Sequence, residues 1–110
     1  MRTKTILIDE TWGKEYAGEY TFKEITVATQ KAITERNMTL DKKTGTLKSI
    51  NVARSNFETF MASLTKQPET SQISLQKLLD ETVGVPNALF NKLWTVVEEL
   101  NGLSEEEEKN

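Results

Sequence analysis

Residues 83–108, VGVPNALFNKLWTVVEELNGLSEEEE, constrain the fold more than any other part of this chain. Pro86 suits the first position of a helix, where a missing N–H costs nothing. Gly102 stands where a left-handed residue closes a helix, with Leu103 able to fold back on Val97. At 100° per residue, Leu89, Leu93, Val96 and Leu100 cluster within about 60°, and Phe90, Trp94 and Val97 widen the apolar arc to roughly 160°. One neighbouring helix covers less than that. Either this helix is central to the fold, with neighbours on both sides, or its Phe90/Trp94 edge stays open and docks a partner. Buried aromatics are the usual anchors of such interfaces. Phe90, Trp94, Val97 and Leu103 are therefore the candidate partner-binding residues.

The charge is as uneven as the hydrophobicity. The chain has 14 basic and 17 acidic residues, a net of −3. From Pro86 onward Glu98, Glu99 and Glu105 to Glu108 face only Lys92 and Lys109, a local net of −4, so the preceding residues sum to +1. Ser104 and Glu107 have capping-box spacing, so the glutamate run can open another helical turn. It reads either as a solvated tail that maintains solubility, or as a screen beside a sticky surface or a guide for a basic partner. A globular domain over 1–103 with an acidic tail over 104–110 is the organisation this predicts.

Before that helix the pattern is mixed. TKTILIDETW, from Thr3 to Trp12, reads as a strand, and GEYTFKEI alternates with Tyr20 and Phe22 on one face. With Gly13 and Gly18 bracketing a turn, the pair forms a β-hairpin, which needs helices or another strand beneath it. Thr26 can cap a helix ending near Asn37, with Ile25, Ala28, Ala32 and Ile33 inward. TLDKKTGTLKSI is the least patterned stretch and reads as a loop with room for a short strand over Thr46–Ile50. A second helix runs from about Val52 to Lys66, with Ala53, Phe57, Phe60, Met61 and Leu64 as its stripe and Pro68 after its end. KQPETSQ reads as polar and exposed. Ser74 caps a short helix LQKLLDETV with Leu75, Leu78 and Leu79 inward, broken at Gly84. The predicted fold is α+β and mostly helical, a small N-terminal β-hairpin packed on a three- to four-helix bundle. Its core is the packing of Phe57, Phe60 and Leu64 on Leu89, Leu93 and Val96.

The chain contains neither cysteine nor histidine. That removes disulfides, thiolate nucleophiles, His-based triads and the common zinc, copper and haem ligand sets. Asp9-Glu10 and Glu98-Glu99 are sequence neighbours and point apart on a strand or helix. GTLKS lacks the spacing of a phosphate-cradling loop. No catalytic, cofactor-binding or metal-binding residue is predicted, and the expected function is not enzymatic. The acidic balance argues against nucleic acid as a partner. No apolar stretch approaches the ~20 residues of a membrane helix, and the N-terminus lacks a signal-peptide core. A cytoplasmic protein is expected.

The order of these pieces resembles a known family. A Trp-bearing N-terminal segment leads into FKEITVATQKAI, and NFETFMASLTKQP ends the variable middle. A short leucine helix then precedes VGVPNALFNKLWTVVEELNGLSEEEE. Leu89, Leu93, Val97, Leu100, Asn101, Leu103 and the glutamates carry the likeness, which is to the tail assembly chaperones of tailed bacteriophages and related proviruses. The resemblance implies a protein of the host cytoplasm that coats the apolar tape-measure protein, helps recruit tail-tube subunits, and is absent from the finished virion. It leaves room for a homo-oligomer. The rival class is a permanent structural tail or neck protein, or a small oligomeric adaptor, which would show a large self-complementary apolar surface.

Overall fold

The computed structural model describes residues 1–70 and 72–102. The expectations for Leu103, for the Ser104/Glu107 box and for the acidic tail 104–110 lie outside those residues. In chain order the elements are β1 (Thr3–Ile8), β2 (Gly18–Lys23), α1 (Val27–Arg36), β3 (Met38–Leu40), β4 (Leu47–Ile50), α2 (Val52–Ser63), β5 (Leu64–Lys66), α3 (Leu75–Leu79) and α4 (Asn87–Asn101).

The expected hairpin on a helical bundle is not what forms. β1, β2 and β5 make a three-stranded antiparallel sheet in the order β1-β2-β5, and β3 with β4 makes a separate two-stranded ribbon. The third strand comes from residues assigned to the second helix. α2 stops at Ser63, and Leu64–Lys66 turns extended to pair with Thr21 and Phe22 of β2. Two side chains hold the switch in place: the Ser63 hydroxyl donates to the Lys23 carbonyl, and that of Thr65 to the Thr21 carbonyl at 3.0 Å. A helix-period pattern continues through Leu64, but the free edge of β2 offers backbone partners that a last helical turn lacks.

The sheet is two-faced. Ile6, Ile8, Tyr20 and Phe22 share the inner face, and Ile8, Tyr20 and Phe22 are buried. The outer face carries Thr3, Thr5, Leu7 and Thr21, where the hydroxyls of Thr5 and Thr21 meet at 2.8 Å and Leu7 stays exposed. This is the alternation expected of an antiparallel sheet with one wet side. α4 lies on β1 and β2, and α2 packs on β5 and α4. The core is therefore sheet against helices, with Phe60, Leu89, Leu93, Val96, Val97 and Leu100 filling the helical side.

Local chemistry sets the remaining boundaries. The β1–β2 connection is two single 3-10 turns, the first capped by Asp9, whose carboxylate accepts from the Thr11 N–H at 3.0 Å. Thr26 caps α1 by accepting from Thr29 N–H at 3.1 Å, but the buried stripe is not the expected one. Ile33 and Asn37 face inward, whereas Ala28 and Ala32 are exposed. The stretch expected to be a loop with a short strand over Thr46–Ile50 is part of the ribbon: that strand forms as β4, and β3 pairs with it. Asp41 organises its turn by accepting from Lys43 N–H at 2.8 Å, which lets Leu40 and Leu47 come opposite each other. Ser74 caps α3, which ends at Leu79 rather than running to Gly84. Asp80 accepts from Thr82 and Val83 N–H groups at 2.8 and 3.1 Å, a local alternative to helical bonding. Gly84 then passes so near this turn that a Cβ there would sit 2.3 Å from the Asp80 carbonyl oxygen. KQPETSQ is not simply surface: the Gln67 amide accepts from Ile73 N–H at 2.7 Å, donates to its carbonyl at 3.1 Å, and so anchors a buried Ile73. Among the described residues, no helix is long and apolar enough to cross a membrane.

Candidate functional site

α4 is the element on which the candidate site rests. It begins at Asn87, one residue later than expected, with Pro86 at the flanking cap position. Its other end is as the glycine requires: Gly102 has φ 64 and ψ 34, and its N–H donates to the Glu98 carbonyl. Asn101 fastens this end to the rest of the molecule. Its side-chain oxygen accepts from Ile25 N–H at 2.8 Å, and its amide donates to the Val97 carbonyl at 2.9 Å. Further ties come from the N-terminal segment, where Lys4 of β1 pairs with Glu99 at 3.0 Å and Arg2 just before it donates to the Leu100 carbonyl.

The four candidate residues separate. Val97 is fully buried in the core and offers no surface. Leu103 lies outside the described residues. Phe90 and Trp94 are half-buried and packed against the core cluster. They stack on each other, with ring centroids 5.9 Å apart and planes 16° from parallel. Phe57 of α2 meets Phe90 edge-on at 5.3 Å and 88°, and is itself half-buried. Phe90 also touches Phe60 at 5.1 Å, which in turn meets Phe22 at 5.4 Å. The rings thus form one row, from Phe22 and Phe60 in the dry core to Phe57, Phe90 and Trp94 at the surface. Phe60 shares the core with Leu89, Leu93 and Val96 as foreseen, but the ring contacts of Phe57 and Phe60 on α4 are with Phe90, and Leu64 belongs to β5 instead of α2.

The β1–β2 connection also contacts α4. Lys92 places its ammonium 5.6 Å from the centroid of the half-buried Trp12 ring. Lys92 and Trp94 are about 200° apart around the helix axis, so Lys92 leaves α4 on a different side from Trp94.

Several ionisable groups are engaged in structure. Burial opposes ionisation of Glu58, but hydrogen bonds from Arg36, Arg54 and Asn37 outweigh it and lower its pKa. The contacts are Arg36 at 2.6 Å, Arg54 at 3.3 Å and Asn37 at 3.4 Å. Hydrogen bonds from Thr11 lower Asp9, and those from the Thr82 and Val83 backbone lower Asp80. Burial, with Tyr16 adding to it, pushes the Tyr20 phenol up to about 12. It stays a neutral donor to the Tyr16 carbonyl at 2.8 Å. Among the described residues no group of three or more acidic side chains converges as a metal site would require.

No family model, curated protein or solved structure matches the chain. Reading the sequence alone missed the Arg36–Glu58–Arg54 cluster, although the i,i+4 spacing of Arg54 and Glu58 is its local signal. It also missed β3, the strand that pairs with the one expected over Thr46–Ile50.

Proposed function

We propose that this chain is a tail assembly chaperone, which binds the tape-measure protein, helps recruit tail-tube subunits and is not retained in the virion. The observation that carries the reading is the half-buried, stacked Phe90/Trp94 pair beside Phe57. Large flat rings at the end of a row anchored in the core are rigid before binding, so little side-chain entropy is lost on contact. They suit the apolar stripe of a long helix that needs cover before the tail tube closes. The resemblance of the C-terminal segment, from Leu89 to the glutamates, supports the same reading. A non-catalytic function is part of the proposal.

Co-expression with a tape-measure protein tests this. Trp94→Ala should keep the fold and weaken binding by about 2 kcal/mol or more, roughly thirtyfold in Kd. Wild-type affinity in that variant would remove the edge from the interface. Retention of the chain in finished particles, or stable rings in solution, would favour a permanent tail or neck component instead.

A further inference from the structure

The ribbon carries a second, unrelated surface. Residues 36–54 hold Arg36, Lys42, Lys43, Lys48 and Arg54 against Asp41 alone, a net of +4 in a chain of −3, which leaves −7 for the rest. The basic charge is concentrated on and around one small element. At its base Arg36 and Arg54 converge on the single carboxylate of Glu58, so the cluster keeps an excess of one positive charge.

The same element displays apolar side chains. Met38 lies opposite Ile50 and, across a β-bulge after Thr39, Leu40 lies opposite Leu47, which brings the two pairs to one face of the ribbon. Leu40 is 49 % exposed, Leu47 57 % and Ile50 41 %. The backbone is equally available. Asn51 N–H donates to the Asn37 carbonyl at 2.8 Å. In antiparallel alternation the adjoining Met38/Ile50 pair then turns its own N–H and C=O groups outward. A two-stranded ribbon of this length is marginal without a further partner.

We propose that the β3–β4 ribbon is a docking edge for an extended acidic segment of a partner protein. The segment adds as a third strand, seats apolar side chains on Leu40, Leu47 and Ile50, and sets its carboxylates against Lys42, Lys43 and Lys48. A protein fits better than a nucleic acid: the exposed groups are aliphatic, and residues 38–52 contain no aromatic ring on which a base could stack. The surface shares no residue with the Phe90/Trp94 edge, and the proposal does not depend on the chaperone reading.

The full ¹⁵N-labelled chain is titrated with a synthetic peptide of about ten residues alternating valine and glutamate, a usual strand length or slightly more. Its valine–lysine counterpart and an oligothymidylate serve as the other arms. With the acidic peptide, amide shifts should fall within residues 38–50, and exchange at the Ile50 amide should slow. The variant carrying Lys42→Glu, Lys43→Glu and Lys48→Glu should melt like the parent and bind about tenfold more weakly, as should the parent at high salt. Leu47→Ser should also weaken binding while leaving the charge intact. The proposal is overturned if the acidic peptide leaves the ribbon amides unmoved, or if the basic peptide binds equally well. Ribbon shifts produced by the oligothymidylate instead would assign the surface to nucleic acid. Sedimentation showing self-association that the triple variant abolishes would assign it to a second copy of the chain.

Discussion

Replacing the rings of the aromatic row one at a time should produce a graded loss of stability, steep at the core end and shallow at the surface. Phe60 is fully buried and touches two rings, Phe22 at 5.4 Å and Phe90 at 5.1 Å. Truncating a buried phenylalanine costs about 3–5 kcal/mol, and the loss of two ring pairs places Phe60→Ala toward the upper end. Trp94 is half-buried, and its one ring partner is Phe90. Losing that stack and part of its burial should cost about 1–2 kcal/mol. A domain of this size has a total stability of about 5–15 kcal/mol, so Trp94→Ala remains folded while Phe60→Ala is marginal. Urea unfolding followed by far-UV circular dichroism measures both, without relying on the fluorescence of the tryptophan that one variant removes. The midpoints should shift with little change in slope. A cost below about 1 kcal/mol for Phe60→Ala, or equal costs for the two variants, would refute the core-to-surface direction of the row. Equal costs would also disqualify Trp94→Ala as a probe of binding.

Two further predictions concern groups that tie elements together. Asn101→Ala leaves the Ile25 N–H without its acceptor and should cost about 1–3 kcal/mol, with faster hydrogen exchange at the Ile25 amide; unchanged exchange there would refute the tie. Asn101→Asp keeps the acceptor but loses the donor to Val97 and adds negative charge at the C-terminal end of α4, so it too should destabilise. Glu58 has a folded pKa below its ordinary value of 4.5. Its contribution is therefore complete above that value and is lost as pH falls through the lowered one. Stability should decline on acidification below about pH 4.5, and Glu58→Gln should flatten that part of the pH profile; an unchanged profile would show that the cluster does not join α1 to α2 energetically.

Much of α4 was legible from residues alone, because a helix writes its pattern into nearby positions. The 3.6-residue spacing of Leu89, Leu93, Val96 and Leu100, with a proline before and a glycine after, needs no distant partner to be read. The same holds for the Thr26 and Ser74 caps and for the alternation of Tyr20 and Phe22. What tertiary structure decided was everything that depends on which edge or face finds a partner. Leu64 continues the α2 stripe in sequence, yet it joins a strand because the edge of β2 lies beside it. Ala28 and Ala32 are apolar but face water, and Ile33 is the residue of α1 that is buried. TLDKKTGTLKSI has little periodicity, and it becomes a ribbon because Asp41 folds its turn and brings two short strands into register. Strand pairing is a property of two segments, and neither one carries it alone. The same reasoning divides the candidate site. Val97 and Trp94 stand on one apolar arc, and only the placement of the sheet determines that Val97 is sealed inside while Trp94 keeps an open side.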